Sequence, residues 1–103
     1  MQVSTATETE EQAIELASDA VRNRLAVGAQ ITKVKSVFWH HGEYGTGEER
    51  QIRLKTTADR YPELEAYLLE AYPWDNPEVC AVPIVASAER WKQRIDTVVE
   101  EQR

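Results

Sequence analysis

The segment Glu78-Val-Cys-Ala-Val-Pro-Ile-Val85 is apolar at almost every position. Successive side chains of a strand point to opposite faces. A strand of this composition therefore needs cover on both faces, Val79, Ala81 and Val85 on one, Cys80, Val82 and Ile84 on the other. Pro83 cannot donate to a β-ladder, so the strand belongs at a sheet edge. A chain of 103 residues forms one domain, residues 1–103, with a modest core. Another subunit is the simplest cover for a face that the chain cannot close alone.

The remaining elements follow from periodicity. Met1–Thr5 reads as a short first strand. Thr9 with Gln12 three residues later fits a capping box. Ala13, Leu16, Ala17, Ala20, Val21 and Leu25 then recur at helical spacing, which predicts a helix over 10–24. Ala26 to Trp39 is rich in β-branched and aromatic residues and reads as a strand, with a phase shift near Lys33–Lys35 that suggests a bulge. The three glycines of His41-Gly-Glu-Tyr-Gly-Thr-Gly47 predict a turn. Gln51 to Thr57 alternates cleanly, with Ile52, Leu54 and Thr56 on one face, and closes a hairpin. A second helix is expected over 58–71, with Pro62 in its first turn. Tyr72-Pro-Trp-Asp-Asn-Pro77 ends it. A third helix is expected over 87–102, with Trp91, Ile95, Val98 and Val99 on one stripe. The order β-α-β-β-α-β with an extra C-terminal helix is the ferredoxin-like α+β pattern, in which both long helices cover one sheet face.

Charge narrows the partners. The net charge is −6 and the cations are scattered, which disfavours nucleic acid. No apolar run approaches a membrane span. The N-terminus has neither a basic nor an apolar signal region, and one cysteine allows no internal disulfide, so a cytoplasmic protein is expected. No serine has a histidine motif beside it, and Gly42-x-x-Gly45-x-Gly47 lacks the features of a phosphate loop, so no enzyme is expected.

Chemistry-bearing residues are few, and each has a structural reading beside the functional one. Cys80 is a soft ligand for copper or zinc, or a small core residue of an apolar strand. His40 and His41 are candidate imidazole ligands, but neighbours on a strand face opposite ways, so a solvated hairpin pair is the competing reading. Asp75 and Glu78 offer two carboxylates to a divalent cation, while Asp75 with Asn76 also suits a turn before Pro77. Lys55 suits a carboxylate or an anionic ligand, or is a plain strand residue. Trp39, Trp74 and Trp91 read as packing anchors.

Arg24-Leu-Ala, Ser36-Val-Phe-Trp39, Leu54-Lys-Thr-Thr57, Pro73-Trp-Asp-Asn-Pro-Glu-Val79 and Ala81-Val-Pro-Ile84 follow one another with the order and spacing of landmarks in the CutA (divalent-cation tolerance) family, which this chain resembles over most of its length. The resemblance implies a ferredoxin-like subunit, a tight homotrimer held by sheet contacts, a long hairpin and a link to tolerance of divalent metals such as copper. The trimer resembles that of the PII signal-transduction proteins, so a PII-like sensor binding a small effector between subunits is the alternative. Gly28 stands where many members carry a cysteine, and Tyr72-Pro73-Trp74 where His-Pro-Tyr is usual. In strand order 4-1-3-2 the hairpin and the last strand meet only between subunits. A ligand or cation cleft there would collect Trp39 and Trp74 as walls, Lys55 as a cation, and Asp75 and Glu78 as carboxylates.

Overall fold

A computed structural model of the chain describes residues 1–71 and 77–100. It contains β1 (Gln2–Thr7), α1 (Glu10–Arg22), β2 (Gly28–His40), β3 (Glu43–Lys55), α2 (Tyr61–Ala71), β4 (Cys80–Val82) and α3 (Glu89–Glu100). The strands form one sheet of order β2-β3-β1-β4 in which every neighbouring pair is antiparallel. Read from the other edge this is 4-1-3-2, so β3 separates β1 from β2, and β1 separates β3 from β4.

Local chemistry sets the elements. α1 starts at a complete capping box: Gln12 N–H donates to Thr9 Oγ1 and Thr9 N–H to Gln12 Oε1, both at 3.2 Å. It ends after Arg22, two residues earlier than the spacing predicts. There Arg24 adopts φ 57°, and the amides of Arg24 and Leu25 fold back onto the carbonyls of Val21 and Ala20. This is the Schellman closure, with arginine where glycine is usual. α2 starts at Tyr61 rather than Ala58, because Thr57 holds a turn: its hydroxyl accepts from Arg60 N–H at 3.1 Å and its carbonyl from Tyr61 N–H at 3.0 Å.

The helix-facing side of the sheet carries the core. Val3, Ile52 and Leu54 are fully buried against Ala13, Leu16, Ala17 and Ala20 of α1 and Leu64 and Leu68 of α2. The clean alternation of β3 thus lands as expected, with Thr56 also buried and donating to the Leu25 carbonyl at 2.7 Å. α3 buries Ile95 and Val99, and Arg24 Nη1 reaches the Val98 carbonyl at 3.4 Å.

Three expectations are corrected. The β2–β3 ladder runs without interruption from Gly28↔Lys55 to His40↔Glu43, so there is no bulge at Lys33–Lys35. The phase shift in the sequence has another origin: beyond Lys33 this hairpin leaves the rest of the sheet, and neither face answers to a core. The turn is not the seven-residue glycine-rich segment but only His41 and Gly42, with φ 51° and 77°. Positive φ at both central positions is the geometry that matches the twist of a tight hairpin, and Gly45 and Gly47 lie inside β3. Last, β4 is a three-residue strand rather than an eight-residue one. It is an edge strand, as Pro83 requires; the proline follows Val82, whose partner Gln2 begins β1.

Candidate functional site

The apolar strand resolves into one covered face and one open face. Val79 and Ala81 pack on the core. Cys80 and Val82 lie on the opposite face, paired with Ser4 and Gln2, and both are exposed. Val85, beyond the strand, is 94% exposed. The reading of Cys80 as a core residue is therefore corrected: in the subunit its thiol is exposed, because the helices cover only the face that carries Ala81. Cys80 Sγ donates to Glu78 Oε1 at 3.7 Å. Partial desolvation, reinforced by the charge and hydrogen bond of Glu78, raises the thiol pKa. Two donors, one soft and one hard, thus meet on the uncovered edge.

The histidines lie elsewhere. Past the last β1 pair, Thr7↔Arg50, β2 and β3 continue as a two-stranded arm from Val34↔Glu49 to His40↔Glu43, roughly 20 Å long at the usual strand rise. Its tip carries exposed apolar side chains: Val37, Trp39 and Tyr44 are 68%, 76% and 64% exposed. The Trp39 and Tyr44 rings meet edge-on at 6.1 Å. His40 and His41 do not diverge as strand neighbours would. His41 is in the turn, and the imidazoles touch edge-on at 4.1 Å. Among the described residues, no three His, Cys, Asp or Glu side chains converge as a metal centre would need.

Lys55 is at the base of the hairpin, opposite Gly28, while Trp39 is eleven residues along the same ladder, roughly 37 Å away by strand rise. One subunit does not bring them together. Glu78 lies beside Cys80, and Trp74 and Asp75 lie outside the described residues, as does the Tyr72–Asn76 part of the turn. The residues that sequence reasoning passed over are on the open sheet face. Arg53 stands between Ser4 and Gln30 in the pairing, two residues from Lys55. The strict alternation of β3 was the available signal, since it puts Arg53 and Lys55 together opposite Ile52 and Leu54.

A shallow, largely apolar groove of about 510 Å³ runs between α1 and edge strand β2, lined by Ile14, Ala17, Val21, Ala29 and Ile31 together with Ser18 and Arg22. Among the described residues the sheet ends in two unpaired edges, β2 and β4, with a groove beside β2 and an aromatic arm beyond the sheet.

The model of the CutA1 divalent ion tolerance protein family matches residues 1–98. The chain belongs to the CutA family. A divalent-cation tolerance protein CutA of Archaeoglobus fulgidus is 27% identical over 90 residues, covering 87% of this chain and 88% of that protein. That of Thermus thermophilus is 31% identical over 77 residues, 74% of this chain and 75% of the relative. The fold agrees equally well. The structure of a CutA from Archaeoglobus fulgidus, described as periplasmic, superposes with a TM-score of 0.92 at 23% identity, covering 95% and 96% of the two chains. That of Synechococcus elongatus CutA gives 0.91 at 26% identity, over 95% and 88%. No helix among the described residues is long and apolar enough to cross a membrane.

Proposed function

We propose that this CutA-family chain works as a homotrimer in divalent-cation tolerance, binding a metal ion such as copper weakly at sites completed between subunits, without catalysis. The observation that carries the reading is the Glu78–Cys80 pair: two donors on an uncovered sheet edge, with no third donor in the described subunit. A second copy brought to that edge supplies what one copy lacks. Thiolate ligation favours Cu(I), and the raised thiol pKa keeps the affinity low at neutral pH. A reducing compartment such as the cytoplasm keeps the single thiol available. The relatives are named for cation tolerance, which favours this reading over the PII-like one.

Association has its own support in the uncovered surfaces. The arm carries Val37, Trp39 and Tyr44 far from the groove of its own subunit, so an apolar arm and an apolar groove on one chain suit a heterologous contact that closes a ring. In the same ring, Trp39, Lys55, Trp74, Asp75 and Glu78 would gather from neighbouring subunits into the inter-subunit cleft.

Sedimentation equilibrium combined with anaerobic Cu(I) titration tests the proposal. The expected mass is three times 11.8 kDa, and Glu78→Gln with Cys80→Ser should weaken copper binding at least tenfold without changing that mass. A monomer mass refutes the trimer. Copper binding unchanged in the double variant refutes the site.

A further inference from the structure

Successive residues of a strand point to opposite faces, so neighbouring histidines on a ladder cannot share an ion. His40 and His41 differ because the strand ends between them. His40 is the last residue of β2 and pairs with Glu43, whereas His41 is the first residue of the two-residue turn, with φ 51°. The left-handed backbone brings the second ring round to the first, and the imidazoles meet with centroids 4.1 Å apart and planes at 63°. Both residues are exposed. The turn itself does not require an imidazole, since asparagine, aspartate and glycine are the usual occupants of its first position.

The spacing suits one metal ion. A nitrogen–metal bond of about 2.0 Å puts the centroid of each ligating ring about 3.2 Å from the ion, so two rings at a right angle stand about 4.5 Å apart and two at a tetrahedral angle about 5.2 Å. From 4.1 Å the pair opens by about 0.4 Å for the first geometry and by about 1.1 Å for the second. Rotation about the soft terminal torsion of each ring turns the nitrogens onto a common point. Imidazole nitrogens at a right angle suit square-planar Cu(II), which also stands highest in affinity among the divalent first-row ions. Among the described residues no third His, Cys, Asp or Glu side chain converges with the pair. Glu43 is exposed and lies across the ladder from His40 on the same face, with about 5 Å between β-carbons. Rotation of its side chain brings a carboxylate oxygen to the ion, and water fills the remaining position.

We propose that His40 and His41 form a Cu(II) site at the tip of the β2–β3 arm, complete within one subunit. Because the two residues end the ladder, the ion reaches them from the end of the arm and not through either face of the sheet. The site is separate from the Glu78–Cys80 pair. Cys80 is level with Arg53 through Ser4, and Arg53 is ten residues along β3 from Glu43, roughly 33 Å by strand rise. Failure of the thiol reading therefore leaves the imidazole site standing.

The test is titration of the full chain with Cu(II), followed by electron paramagnetic resonance, with Cys80→Ser in every sample so that the thiol neither binds nor reduces the ion. One ion per chain is expected, with splitting from two imidazole nitrogens. His40→Gln and His41→Asn should each weaken binding at least tenfold and reduce the splitting to one nitrogen, while the sedimentation mass stays unchanged. Asparagine followed by Gly42 keeps the turn, so the loss in His41→Asn does not come from a broken arm. The proposal is overturned by the absence of saturable binding, or by unchanged affinity and splitting in the variants, as scattered carboxylates would give. A fall in mass in either variant also overturns it, by assigning the pair to a contact between copies.

Discussion

The ring of Phe38 lies across Gly45, its cross-strand partner, so closely that a β-carbon at Gly45 would stand 2.6 Å from Phe38 Cε1. The glycine here gives room for an aromatic cover rather than backbone freedom. Gly45→Ala should push the ring aside and destabilise the arm, at a cost of about 1.5 kcal/mol. In a Phe38→Ala background the same change should cost under about 0.5 kcal/mol, since the clash is gone. Urea unfolding of the four proteins at one concentration measures this coupling. Additive losses would show that Gly45 is needed for its backbone.

The capping box predicts an asymmetric pair of losses. Thr9→Ala leaves the Gln12 amide without its side-chain acceptor and should cost about 1 kcal/mol. Gln12→Ala frees the amides of Glu8 and Thr9, which are exposed and can turn to water, so its cost should be about half that. Thermal unfolding of both variants checks the ranking.

Tyr61 donates to Glu65 Oε2 at 2.7 Å. That hydrogen bond, with partial burial and the Glu65 charge, pushes the phenol from 10.0 up to about 12. A raised pKa means the neutral form is favoured in the folded state. Its contribution to stability is therefore complete below pH 10 and is lost as the pH rises from 10 to about 12. Phenolate absorbance of the native protein minus that of Tyr61→Phe should titrate with a midpoint near 12. A midpoint near 10 would break the Tyr61–Glu65 assignment.

Cys80 gives two linked outcomes. The thiol is exposed in the subunit, so Cys80→Ala should change subunit stability by less than about 0.5 kcal/mol. In a trimer that covers this edge, a thiol reagent should react slowly. Trp39→Ala with Tyr44→Ala, which strips the arm, should restore fast reaction by weakening the assembly.

Copper affinity should follow the same thiol. The thiol pKa is raised, so the ion must displace a proton at neutral pH. Affinity should then rise about tenfold per pH unit between pH 7 and 9. A flat profile would show that Cys80 is not the ligand.

The elements and one face of the core were written in local periodicity. Alternation at Ile52, Leu54 and Thr56, the helical spacing of Ala13 to Ala20 and the Thr9–Gln12 box each depend on residues a few positions apart, so the chain alone determined them. The landmarks from Arg24 to Ile84 likewise identified the family. What only the tertiary structure decided were relations between distant segments. Whether His41-Gly42 or a longer loop makes the turn depends on the register of thirteen paired residues. Whether Cys80 is core or surface depends on which face of a doubly apolar strand the helices cover, and an apolar sequence is equal on both faces.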